Sequence, residues 1–118
     1  MLYKDSGRRK HVFEKRVSEV LQKKIISPTD HINIIQIRPD IKSTPYGQEY
    51  RFFLEKKGII TDKVSQYNSS KTLLIFSEIP NYDITQINSW ETQQYGLQYL
   101  KKSQIYHLSD ITVYKVSK

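Results

Sequence analysis

Two acidic residues stand where an α/β fold tends to place its ligand-binding groups. Asp40 and Glu78 each follow a dense β-branched or apolar run, Ile32–Ile37 and Thr72–Phe76. In an open α/β sheet, ligands bind at the carboxyl ends of the parallel strands, so Asp40 and Glu78 are candidate binding residues. The plainer role is loop capping, and Arg38 beside Asp40 offers a local ion pair. Other familiar chemistries lack their residues. The four glycines, at positions 7, 47, 58 and 96, form neither a phosphate loop nor a dinucleotide fingerprint. His11, His31 and His107 lie far apart, without the short spacings of a zinc site. There is no cysteine, so disulfides, thiolate metal ligands and a cysteine nucleophile are excluded. No Gly-x-Ser-x-Gly elbow is present either. No cofactor is implied and no catalytic set is assigned.

One further constellation carries definite chemistry. Pro39-Asp40, followed later by Glu55-Lys56-Lys57, matches the loose PD-(D/E)xK nuclease pattern, and Glu14 could complete it. Asp40 and Glu55 would hold Mg²⁺ while Lys57 positions or activates the attacking water. That mechanism requires Glu55 and Lys57 on a strand beside Asp40. The local sequence argues instead for a helix there.

Charge is uneven along the 118 residues. Residues 1–24 carry eight basic groups against three acidic ones, net +5, whereas residues 25–118 carry eleven against nine, net +2. Arg8, Arg9, Lys10, Lys15 and Arg16 form the candidate basic surface. Such a segment suits a solvated helix face, a nucleic-acid arm, or a juxtamembrane helix against anionic head groups.

The elements that must position these groups follow from periodicity. Val12, Phe13, Val17, Val20 and Leu21 form one stripe of an amphipathic helix in residues 1–24, which Pro28 stops. Residues 32–37 and 72–77 predict parallel, adjacent strands buried on both faces. Between them Thr44 as N-cap, Pro45 at N1, an apolar stripe through Tyr46, Tyr50, Phe53 and Leu54, and Gly58 past the end predict a helix over 45–57. Residues 59–70 read as a loop with one helical turn at most. Asn88 or Ser89 can cap a short helix through Trp90 and Tyr95, closed or bent at Gly96. Residues 105–108 and 111–116 read as strands joined by a hairpin or a bend at Ser109-Asp110. The expectation is an α/β fold, a small mainly parallel sheet with flanking helices in the order α-β-α-β-α-β(β). Residues 25–118 form a single α/β domain behind the basic helix. Hydrophobic residues are only 37%, but 9 Tyr and 4 Phe supply bulky core material. No run of 18 apolar residues is present to span a membrane.

Ile32–Asp40, Thr44–Ile59 with its Phe-Phe-Leu-Glu-Lys-Lys-Gly ending, Thr72–Pro80, the Trp-bearing helix and the closing Asp110–Val116 strand form a recognisable order. This layout resembles the soluble C-terminal tail of polytopic membrane glycosyltransferases, the dolichyl-phosphate-mannose mannosyltransferase and aminoarabinose-transferase-like group. The resemblance covers most of residues 25–118 and rests on element order. It implies a non-catalytic accessory domain that packs on the membrane part of the same protein and shapes access for an acceptor or lipid-linked donor. That group's catalytic acids lie in loops between membrane helices, so none maps onto this chain. The implied location is the extracytoplasmic, soluble face of a membrane, with that protein or an anionic lipid surface as partner. The alternative is a small cytoplasmic nucleic-acid-binding or PD-(D/E)xK-like nuclease protein that uses the basic N-terminal helix.

Overall fold

The computed structural model describes residues 6–39, 47–87 and 89–118, with side chains described from residue 10 onward. The elements run α1 (Ser6–Gln22), β1 (His31–Ile37), α2 (Gln48–Lys56), β2 (Ile60–Thr61), β3 (Thr72–Ser77), α3 (Trp90–Tyr95), β4 (Gln104–His107) and β5 (Thr112–Ser117). Single 3₁₀ segments occupy Val64–Gln66, Ile84–Gln86 and Leu97–Lys102.

One five-stranded sheet is ordered β2-β1-β3-β5-β4. β1 and β3 are parallel neighbours, in register from Ile32 opposite Thr72 to Ile37 opposite Ser77. The mainly parallel sheet expected from the sequence is corrected to a mixed one. β2 is parallel to β1, but β5 runs antiparallel to β3 and β4 antiparallel to β5. The β4–β5 connection is therefore a hairpin rather than a bend. The order is corrected too. α2 leads first to β2, on the far side of β1, and the chain then returns through residues 62–71 to β3. β2 escaped sequence reading because two residues carry no period; parallel pairing with His31 and Ile32 alone makes it a strand.

Alternation along the strands builds two cores, one on each face. Ile32, Ile34, Leu74, Phe76 and Val113 face α1 and α2, meeting Phe13, Val17, Val20, Tyr50, Phe53 and Leu54. Ile35, Leu73, Ile75, Tyr114 and Val116 face the other way, against Tyr67, Ile84, Ile87, Tyr95 and Leu100. Layers on both faces explain why β1 and β3 read as near-continuous apolar runs. Phe13, Val17 and Val20 are buried, so α1 shares its core with the strands.

Both long helices end in the same hydrogen-bond pattern. Ile25 N–H donates to the Val20 carbonyl and Lys24 N–H to Leu21; Ile59 N–H donates to Leu54 and Gly58 N–H to Glu55. This is a Schellman closure, whose pivot residue is left-handed. The pivots are Gly58 at φ 87° and Lys24 at φ 55°. α2 begins at a left-handed Gly47, φ 68°. A Cβ there would lie 2.6 Å from the Ile34 methyl, so close approach to β1 demands glycine. The helix expected over 45–57 with Thr44 as its cap is thus corrected: it starts at Gln48 with Gly47 as the N-cap, while Thr44 and Pro45 themselves lie outside the described residues. At α3 the cap is Ser89, whose hydroxyl accepts from Thr92 N–H at 3.2 Å.

A buried polar knot ties the β2–β3 connection to β1. The Arg51 guanidinium donates to Asn33 Oδ1, the carbonyls of Ile34 and Asp62, and the Tyr67 hydroxyl. Asn33 in turn donates to Ser70 Oγ and the Lys63 carbonyl, both at 3.1 Å.

Candidate functional site

Glu78 sits one residue past β3, at the carboxyl edge of the parallel pair, and its backbone N–H donates to the Ile37 carbonyl at 2.8 Å. That bond extends the β1–β3 pairing and aims the side chain toward the helices. Its Oε2 accepts from Gln36 Nε2 at 2.8 Å, Tyr50 Oη at 2.9 Å and Arg16 Nη1 at 3.3 Å. Its Oε1 lies 3.9 Å from Arg38 Nε. Arg16 also donates from Nε and Nη2 to one oxygen of Asp110, at 3.0 and 2.8 Å. One guanidinium from α1 thus joins the end of β3 to the β4–β5 turn.

Burial sharpens this arrangement. The Arg16 and Glu78 side chains are 13% and 17% exposed, while Asp110 is 45% exposed. Burial opposes the Arg16 charge, but the hydrogen bonds to Asp110 and Tyr50 and the Asp110 charge outweigh it and raise the pKa further. The Tyr50 hydroxyl is pushed strongly up, first by burial and then by the Glu78 charge, so it stays a neutral donor. Its ring stacks on Phe76 at 3.9 Å and meets Phe13 edge-on at 5.0 Å. Glu19, one turn along α1, adds a second tie, accepting from Ser109 N–H and Oγ at 2.8 and 2.7 Å. Burial disfavours the Glu19 charge, yet the Ser109 hydrogen bonds lower its pKa on balance. Beside these groups lies a hollow of about 200 Å³ lined by Glu78, His107, Ser109 and Asp110.

Of the residues singled out in the sequence, Glu78 stands at the sheet edge, and Asp40 lies outside the described residues. Lys10 and Lys15 are exposed on α1, whereas Arg16 turns inward. Arg8 and Arg9 fall within α1, with side chains outside the described set. Glu55 and Lys57 belong to the end of α2, where Glu55 accepts from the Thr61 hydroxyl and Lys57 is the C-cap. The helix removes the strand placement that the nuclease chemistry requires. His11, His31 and His107 are all exposed, and no group of three or more His, Asp or Glu is placed to hold a metal among the described residues.

Arg16, Tyr50, Gln36 and Asp110 were not legible as one cluster. The sequence signals were weak: Tyr50 belongs to an apolar stripe, and Arg16 merely flanks the one containing Phe13 and Val17. Among the described residues, no helix is long and apolar enough to cross a membrane. Comparison with protein families, curated proteins and solved structures gives no match.

Proposed function

We propose that this chain is a non-catalytic α/β accessory domain that works by docking, in the setting of a bacterial membrane glycosyltransferase-like protein. One observation carries the non-catalytic part. Among the described residues, Arg16 and its neighbours engage the carboxylates beside the sheet edge, Glu78 with three donors on one oxygen and Asp110 with two on one oxygen. A general base or metal ligand needs a lone pair aimed at substrate; Glu78 Oε2 and the Asp110 oxygen bound by Arg16 are instead engaged by the protein. The edge therefore serves as a clasp between α1, the sheet and the hairpin.

The glycosyltransferase setting comes from the resemblance of residues 25–118. In it, the domain stands on the extracytoplasmic face of the membrane and packs on the membrane part of the same protein. The test is the reading frame upstream of Met1 in the source genome. Several apolar spans in frame with this chain are expected; an upstream stop codon preceded by no such span overturns the setting.

A further inference from the structure

A second hollow, remote from the clasp, lies where α1 and α2 end. Its floor is Leu21, Ile26, Pro28 and Ile59, its rim is Lys24 and Lys57, and its volume is about 480 Å³. On α2 the surface keeps a large apolar group in solvent: Phe52 is 55% exposed. Lys56 Nζ lies 5.6 Å from the Phe52 ring centre. Lys23 is exposed at the same end of α1. Among the described residues, none of these four lysines has a carboxylate partner.

Lysines at helix C-termini complement the helix dipole, which explains their charge and nothing else here. Lys24 needs more explanation. It holds the left-handed pivot of the α1 closure, where Gly58 stands in the matching closure of α2. Glycine would relieve that strain, and backbone strain retained in a fold concentrates at functional positions. The side chain kept at that cost places an ammonium on the rim of an apolar hollow.

We propose that this face, Lys24 and Lys57 around the hollow with Lys23, Lys56 and Phe52 beside it, seats the domain on an anionic phospholipid bilayer. Apolar groups enter the interface while the lysine stems lie along it and their ammonium groups meet lipid phosphates. Two signals, apolar insertion and a basic rim, are what stable peripheral attachment requires. The inference rests on the preceding reading only in that the chain must meet a membrane.

The experiment is co-sedimentation of the full chain with phosphatidylglycerol/phosphatidylcholine vesicles. Truncation is avoided because α1 supplies Phe13, Val17 and Val20 to the core. Lys24→Gly is the informative variant: it should melt higher than the parent yet partition about fivefold more weakly, and adding Lys57→Gln should bring the loss to about 25-fold. Phe52→Ser, at an exposed position, should weaken partitioning without lowering the melting temperature. Lys10→Gln/Lys15→Gln removes the same charge from α1 at least about 14 Å along its axis, beyond a Debye length of about 8–10 Å, and should cost less than about twofold. Equal losses from the two lysine pairs would show bulk charge at work and overturn the proposal. Failure of the parent to bind these vesicles, or binding to DNA in their place, would do the same. Upstream spans without vesicle binding sink this inference alone; vesicle binding without upstream spans sinks the glycosyltransferase setting alone.

Discussion

Arg16 on α1 and Asp110 in the β4–β5 turn, 94 positions apart in the chain, meet at 2.8 Å. The same guanidinium reaches Tyr50 Oη at 2.9 Å, so three elements with no sequence proximity share one cation. The contact holds the first helix against the last hairpin.

Arg16→Leu should destabilise the fold by about 2–3 kcal/mol, because Glu78 keeps its burial and loses the nearer of its two cations among the described residues, keeping Arg38 at 3.9 Å. Arg16→Lys should recover part of this, since a point charge cannot reach Asp110, Tyr50 and Glu78 together. Urea unfolding followed by circular dichroism reads both; an unchanged midpoint for Arg16→Leu would show that the clasp adds nothing to stability.

Gly47→Ala should cost more than Gly58→Ala, although both residues are left-handed. Each substitution incurs the left-handed penalty of about 1–2 kcal/mol. At Gly47 the added Cβ also meets the Ile34 methyl, whereas nothing lies within 4 Å at Gly58. Equal melting temperatures for the two variants would place the α2–β1 approach in error.

Alkaline pH should unfold the protein cooperatively. Burial raises the phenol pKa of Tyr50, Tyr95 and Tyr114, with Glu78, Tyr99 and Asp83 adding to the respective shifts. A raised folded pKa means the unfolded chain releases its proton first. The corresponding stability is complete below the ordinary value of about 10 and is lost as pH rises beyond it. Phenolate absorbance should therefore show these three ionising only together with loss of the circular-dichroism signal. Gradual ionisation of all 9 tyrosines before unfolding would contradict the burial of these rings.

The purified chain should not cleave DNA or RNA with Mg²⁺. Glu55 and Lys57 sit at the end of a helix, with Glu55 engaged by Thr61. Cleavage abolished by both Glu55→Gln and Lys57→Ala would restore the nuclease chemistry.

Local physics was written plainly in this chain. Ile32–Ile37 and Thr72–Ser77 had to be doubly buried strands because no amphipathic period runs through them, and β1 and β3 are that. The Phe53 and Leu54 stripe with Gly58 behind it had to be a helix end, and of the two caps the sequence offered for the Trp90 helix, Asn88 or Ser89, the structure uses Ser89. Pairing direction lay beyond such signals. Thr112–Ser117 has the same composition whether it runs parallel or antiparallel to β3; only its pairing with β3 in the folded sheet, with β4 folded back on its other side through the short turn at Ser109 and Asp110, fixes the direction. Two-residue β2 exists only because β1 offers it a partner. The charges divided along the same line. Lys10 and Arg16 look equivalent in the basic run, yet helix rotation sends one to solvent and the other inward to Glu78. A residue's type and spacing set which face of an element it occupies, but only the packing of distant elements sets what that face meets.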